Sequence, residues 1–429
     1  MNYAQALDYI HSRNLFGKKA GLDGITRLMA LMGNPQNNLK FVHVAGTNGK
    51  GSTTTMIASV LQAAGYKTGK YISPFILNFR ERIQVNGELI SEDALADCTT
   101  YVKTFCDRME AEGQAPTEFE VVTAVALEWY RRCGCDYAVL EVGLGGRFDP
   151  TNVISVPLVS VITSISFDHE AILGDTLTAI AGEKAGIIKP GGITVCYPDQ
   201  PEEALAELMK QAAEQDNRFV VGGKNAAEIG KKDLFGTEMT YAGLALTIPL
   251  LGEHQVYNAI TAIEAVNVLR YDRGIPISDE AIIEGIGATR FPARFEILSR
   301  DPVIILDGAH NPDGIEMLGR SLDILGGRGI IAIFGASQGK KVADALAFVL
   351  PHCRDVICTA ASYDKKALPV DELMEQIRPI APQARVAPNR ESAYQMALEM
   401  VGPDDVILIF GSLYLASDMR EIVLGRQTL

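Results

Sequence analysis

Between Phe41 and Gly65 the chain reads FVHVAGTNGKGSTTTMIASVLQAAG. An apolar run enters a turn holding Gly46, Gly49 and Gly51 with one cation, Lys50, and leaves it as a stretch of small residues. Met56, Ile57, Val60, Leu61 and Ala64 fall on one face of a helix that stops at Gly65. A strand that feeds a helix through so tight a turn commits the chain to α/β architecture. The first N–H groups of a helix have no partner inside it, and its dipole is positive at that end. Glycines leave those amides uncovered, so phosphate oxygens can approach them. Lys50 adds a point charge, and Ser52 or Thr53 offers a hydroxyl suited to a magnesium ion. The stretch departs from the common G-x-x-x-x-G-K-[ST] pattern, because Val44 holds the first glycine position and Gly51 follows the lysine. It reads as a phosphate-cradling loop, with a glycine-rich turn that binds nothing as the alternative.

The alternation continues along the chain. Residues 3–33 read as helical, with stops at Gly17 and at Gly33-Asn34-Pro35. KTGKYIS closes at Ser73, and ERIQVNGELI carries an Asn86-Gly87 turn between alternating residues, a hairpin signal. Helices are expected at about 91–112 and 117–131. DYAVLEVG, PLVSVITSI and GITVCY are short β-rich apolar runs, the pattern of strands buried on both faces in a mostly parallel sheet. Gly, Pro and Arg in GATRFPARFEIL break the periodicity, and a second series follows: VIILD, IIAIFG, DVICTA, ARVAP and VILIFG. The 429 residues exceed the usual span of one core, so two domains are expected, 1–295 and 296–429.

In parallel sheets ligands sit beyond the carboxyl ends of the strands, so the polar residues that end strands are the informative ones. They are Ser73, then Glu141 of YAVLEVG, then Asp168, His169 and Glu170 of VITSISFDHE. These ends converge with the Lys50 loop if the sheet is singly wound there. A hydroxyl, a carboxylate and an imidazole around a triphosphate make a divalent-metal shell, although Mg2+ prefers oxygen ligands. A capping or ion-paired carboxylate and a structural histidine are the alternatives for Glu141 and His169. In the second half, VIILDGAHNPDG places Asp307, His310 and Asn311 just past a strand, where turn chemistry alone also accounts for them.

Net charge is 39 − 53 = −14 with no basic run, which argues against nucleic acid as a partner. No apolar run reaches the ~18 residues of a membrane span. The seven cysteines are scattered and odd in number, as expected of reduced thiols in a cytoplasmic protein. A monomer is the default expectation.

AGTNGKGS, SPFILNFRERIQVNG, TEFE, EVGLGGRFDPTN, SFDHEAILGDTLTAIAGEKAGIIKPG, ARFE and LDGAHNP occur in this order. Together they resemble the folylpolyglutamate synthase and dihydrofolate synthase family, within the Mur-type ATP-dependent amide ligases, over nearly the whole chain. The resemblance implies a phosphate-loop ATPase domain joined to a Rossmann-like C-terminal domain. It also implies a reaction in which ATP phosphorylates a carboxylate of folate or dihydropteroate and the amine of L-glutamate then attacks the acyl phosphate. By the family motifs, Gly46, Thr47, Asn48, Gly49, Lys50, Gly51, Ser52 and Thr53 cradle ATP, while Ser73, Glu141 and His169 hold Mg2+. Asn258, Arg294 and Asp307 contact the nucleotide. Lys184 matches a lysine that is carbamoylated in the family. Thr117, Glu118, Phe119 and Glu120 match a segment lining the pterin site of bifunctional relatives, which favours dual activity. His310 and Ser412 fall where glutamate or the acyl phosphate is expected. One departure is Phe75, where many relatives carry histidine after Ser-Pro; it touches pterin specificity and leaves the phosphate chemistry intact. Two other readings stand beside this one: a different Mur-type amide ligase, and a phosphate-loop regulatory NTPase.

Overall fold

The computed structural model describes residues 1–14, 21–338, 343–361 and 367–425. They form two units, one of residues 1–228, 241–246 and 257–289 and one of residues 229–240, 247–256 and 290–429. The expected stop at Gly17 lies outside the described residues.

In the first unit the strands are β1 (Lys40–Ala45), β2 (Thr68–Tyr71), β3 (Ile83–Val85), β4 (Glu88–Leu89), β5 (Tyr137–Glu141), β6 (Val159–Ile162), β7 (Ile193–Cys196) and β8 (Arg218–Val221). They lie in the order β4-β3-β2-β5-β1-β6-β7-β8. β1 runs parallel to β5 and β6, with Val44 level with Glu141 on one side and Val161 on the other. β3 and β4 form the antiparallel edge. The Asn86-Gly87 turn between them has φ of 51° and 80°, the doubly positive geometry that short hairpins favour.

The sheet is not singly wound. From β1 the chain moves out to β2, returns to β5, and crosses to β6 on the far side. The strand ends still converge, because parallel strands point their carboxyl ends the same way whatever their order. Reversal of strand order beside β1 opens the crevice where such sheets take ligands.

Helices cover both faces. On one, Phe41, Tyr71, Ala138 and Leu140 of the sheet pack with residues of α1 (Tyr3–His11), α2 (Asp23–Leu31), α4 (Glu92–Ala111) and α5 (Glu118–Cys133). On the other, α3 (Lys50–Ala63) lies against β1, β2 and β5 and against α10 (Asp279–Gly287). A Cβ on Gly285 would lie 2.4 Å from the Cα of Val60, so this helix pair needs a glycine to approach so closely. Ala45, Ile162 and Cys196 pack with α7 (Leu177–Lys184) and α8 (Glu202–Glu214). Residues 228–248 contribute β9 (Glu228–Asp233), β10 (Gly236–Tyr241) and β11 (Leu244–Ile248), a three-stranded sheet.

The second unit's six-stranded sheet holds β12 (Glu296–Arg300), β13 (Val303–Leu306), β14 (Ile330–Phe334), β15 (Cys353–Cys358), β16 (Arg385–Val386) and β17 (Val406–Phe410). Their order is β12-β13-β17-β14-β15-β16, with only β12 antiparallel to its neighbour. The ARVAP run shrinks to the two exposed residues of β16, because an edge position buries neither face. All seven cysteines are free thiols. Among the described residues no helix is long and apolar enough to cross a membrane.

Candidate active site

The glycine loop owes its shape to close approaches. Gly46 has φ +150°, and a Cβ there would sit 1.8 Å from Thr163 Oγ1. Gly49, the N-cap of α3, has φ +83°, and its Cβ would meet Asn258 Oδ1 at 2.3 Å. Asn258, buried in α9 (Glu253–Asn267), therefore lies directly over the turn. Gly49 brings no capping side chain to the first turn of α3. Thr47 ties the loop to the end of β6: its N–H donates to Ser164 O at 2.7 Å, and its hydroxyl accepts from Ser166 N–H at 3.1 Å.

Two ammonium groups converge on one carbonyl. Lys50 Nζ donates to Gly46 O at 3.1 Å and Thr47 O at 3.0 Å, and Lys184 Nζ donates to Gly46 O at 2.8 Å. Lys184 is buried, which pulls its ammonium down to about 7; the neighbouring Lys50 charge pushes the same way and Asp168 opposes it. These residues line a cleft with Gly143, Gly145, Asp168 and His169.

Glu141 ends β5 in a buried position, and its Oε2 accepts the Ser73 N–H at 3.0 Å. Ser73 Oγ is buried with no partner among the described residues. An oriented carboxylate beside an unsatisfied hydroxyl suits a hard divalent cation. His169 N-caps the short α6 (Glu170–Leu173) at φ +52°, with its imidazole half-exposed and Nε2 3.9 Å from Asp168 Oδ2. Among the described residues no three His, Cys, Asp or Glu side chains gather as a metal cluster, so the donors here are a mixed set.

The TEFE segment is first of all a capping box. Thr117 N–H donates to Glu120 Oε2 at 2.7 Å, and Glu120 N–H donates to Thr117 Oγ1 at 3.3 Å. Glu120 also lies over Gly24, and Glu118 pairs with His11 at 3.5 Å. Phe119 packs behind the cleft lining: its ring covers Gly143, where a Cβ would lie 2.5 Å from Cζ, and meets Tyr71 at 5.9 Å. Phe75 packs on Phe79 at 5.7 Å, under the Arg82 guanidinium.

Sequence reasoning passed over Asp149. Its buried carboxylate accepts from Gly143 N–H at 3.0 Å and Leu144 N–H at 2.9 Å, fixing the loop that lines the cleft. Its other oxygen accepts from the Thr151 hydroxyl at 2.6 Å, and Thr151 Oγ1 meets His43 Nε2 at 2.8 Å. An Asp two residues before Thr, within a glycine-rich run, was the available signal.

Arg294, Asp307, His310 and Ser412 belong to the second unit. Arg294 stands between two non-glycine residues with positive φ, Ala293 at 51° and Phe295 at 47°, so its turn is strained. Asp307 holds that turn, accepting from Phe295 N–H at 2.8 Å and Ala309 N–H at 2.7 Å, and burial raises its carboxyl. His310 Nδ1 lies 2.8 Å from Gly308 O, which makes it the donor nitrogen. Ser412 caps α15 (Leu413–Leu424), its Oγ 3.5 Å from that of Ser337.

A glycine loop closing on two lysines at the head of a parallel sheet, with a separate Rossmann-like unit, defines an ATP-dependent ligase of the Mur class. Residues 44–266 match the Mur ligase middle domain, and residues 293–413 match the Mur ligase, glutamate ligase domain. The chain is 36% identical to the folylpolyglutamate synthase of Lacticaseibacillus casei, covering 99% of each protein. It is also 36% identical to the dihydrofolate synthase/folylpolyglutamate synthase of Bacillus subtilis, covering 98% of each. A solved FPGS–AMPPCP–folate complex superposes with a TM-score of 0.86 at 35% identity, over 99% of this chain and 100% of that one. The chain belongs to the folylpolyglutamate synthase and dihydrofolate synthase family of ATP-dependent amide ligases.

Proposed function

We propose that this chain joins L-glutamate to folates using ATP and Mg2+, with dihydropteroate as a second acceptor. The observation that carries the reading is the convergence of Lys50 and Lys184 on Gly46 O in a cleft floored by glycine backbone. The Lys50 cation beside bare loop amides, in a chain of net charge −14, calls for a polyanion in this cleft. The name of the Bacillus subtilis relative supports the second acceptor.

Gly46 to Thr53 with Asn258 would hold the phosphates, and Ser73, Glu141 and His169 would hold the metal. When bound, ATP with Mg2+ supplies the phosphoryl group that turns a carboxylate into an activated acyl phosphate and screens the charge that builds on transfer. The chain's own part is positioning and electrostatics. Loop amides and Lys50 orient the phosphates. Lys184, pulled down to about 7, carries a large fraction of neutral amine near neutral pH, the form that carbamoylation by CO2 requires. Once carbamoylated it would present an anion to the metal side of the cleft. Phe119 and Phe75 supply aromatic surface for a pterin ring and help keep water from a hydrolysable intermediate. Arg294, Asp307, His310 and Ser412 are assigned to the nucleotide and to glutamate. A monomer in the cytosol completes the reading; seven free thiols suit a reducing compartment.

The test is glutamate incorporation into tetrahydrofolate, followed with phosphate release. Release should depend on both glutamate and folate, and Lys50→Ala should lower turnover by at least about a hundredfold with melting unchanged. Near-normal turnover in Lys50→Ala would remove the loop from the chemistry. With 13C-bicarbonate, the wild-type protein should show a carbamate resonance that Lys184→Met lacks.

A further inference from the structure

A second lysine beside the metal donors has no part in the mechanism above. Lys70 sits in the middle of β2 and is only 9% exposed. Lysine is almost never buried without a compensating charge. Its direction follows from its neighbours. Gly69 faces α5, since a Cβ there would lie 2.8 Å from the Tyr130 ring, and Tyr71 belongs to the α5-side core. Alternation along the strand turns Lys70 to the opposite, α3 side. On β5, Ala138 and Leu140 belong to the α5-side core, so Val139 and Glu141 share the Lys70 side. Lys70 is level with Val139 in the parallel register, which puts Glu141 on the next same-side position toward the carboxyl edge. A four-carbon stem reaching toward that edge is long enough to carry the ammonium toward the Glu141 carboxylate, whose charge acts on it.

We propose that Lys70 is the resident counter-cation of Glu141, competing with an arriving divalent cation for that carboxylate and so limiting how tightly the metal binds. Burial lowers the Lys70 ammonium to about 8, and the charges that offset this are Glu141 first and Glu81 second. Glu81 is already committed, accepting from the backbone amides of Ile76, Leu77 and Asn78 at 2.8 to 3.0 Å. The inference rests on the assignment of Glu141 to the metal. An ammonium and a divalent ion near one carboxylate repel each other, so removing the ammonium should tighten the metal site by about tenfold.

The experiment is Mn2+ binding to the ADP-loaded full chain, read by the loss of the free-ion EPR signal. Lys70→Met should bind Mn2+ about tenfold more tightly than wild type, and Lys70→Arg, which keeps the charge, should stay within about twofold. Lys70→Gln, polar and similar in length, should repeat the methionine result if the apolar variant folds poorly. Unchanged or weaker Mn2+ affinity in the neutral variants would overturn the proposal. Glu141→Gln separates the two readings, since it should lose Mn2+ affinity whatever Lys70 does. If it keeps that affinity, the metal assignment itself is wrong; if it loses it while the neutral Lys70 variants match wild type, only the counter-cation role fails.

Discussion

Midway along β1 the chain buries an imidazole completely. The Thr151 hydroxyl is spent as a donor to Asp149, so it accepts from His43, and the ring proton must sit on Nε2. Nδ1 is then a buried lone pair with no partner among the described residues. Adding a proton there would create a charged donor facing apolar surroundings, and burial, helped by the charge of Lys189, holds His43 at about 3. The folded state thus declines a proton that the unfolded chain accepts below about 6.5. The stability this represents is complete above that value and is lost as pH falls toward 3, at up to about 1.4 kcal/mol per pH unit. His43→Gln keeps a donor for Thr151 and removes the titration. Between pH 6.5 and pH 5 wild type should lose about 1.6 kcal/mol more than the variant in urea unfolding. A difference that does not change with pH would mean the imidazole is solvated or already charged.

At the scale of elements, legibility followed burial and locality. β1, β5 and β6 could be read because both their faces are apolar, and the loop after β1 because its demands are local: amides left bare and positive φ at Gly49. α4 and α5 were visible in periodicity. Two of the unread strands have residues that look like loop. β8 is exposed or half-exposed throughout, and β9 shows five exposed residues of six. Their pairing is set by partners rather than by pattern. Lys70 and Asp149 escaped for a related reason, because each acquires its meaning from a neighbour distant in sequence. Phe119 stood in a motif, but only the fold lays its ring on Gly143. The turn itself offers a direct test. Gly49→Ala would place a methyl against Asn258 Oδ1 and force an L-residue to φ +83°. It should cost about 1 to 2 kcal/mol of stability and weaken ADP binding at least tenfold, measured by calorimetry. Tight ADP binding by a folded Gly49→Ala protein would place the phosphates away from this turn.

For the whole molecule, the division into two units decides where nucleotide binding should be felt. Loop, cleft and the proposed metal donors all lie in the first unit, at the carboxyl edge of its sheet. Ligand that binds only the folded state stabilises it by mass action, about 2.7 kcal/mol at a hundred times its Kd. In hydrogen exchange that energy appears as slower opening of whatever unit supplies the contacts, about a hundredfold where exchange requires the entire unit to open. With Mg·ADP at that concentration, amides of β1, β5 and β6 should therefore exchange up to about a hundredfold more slowly, and the 46–53 loop should gain protection. Lys50→Ala should abolish both effects at the same nucleotide concentration. The outcome does not depend on turnover or on which folate is accepted. If ADP bound at the expected strength while β1, β5 and β6 exchanged at their unliganded rates, the phosphate contacts would have to come from elsewhere than the carboxyl edge of this sheet.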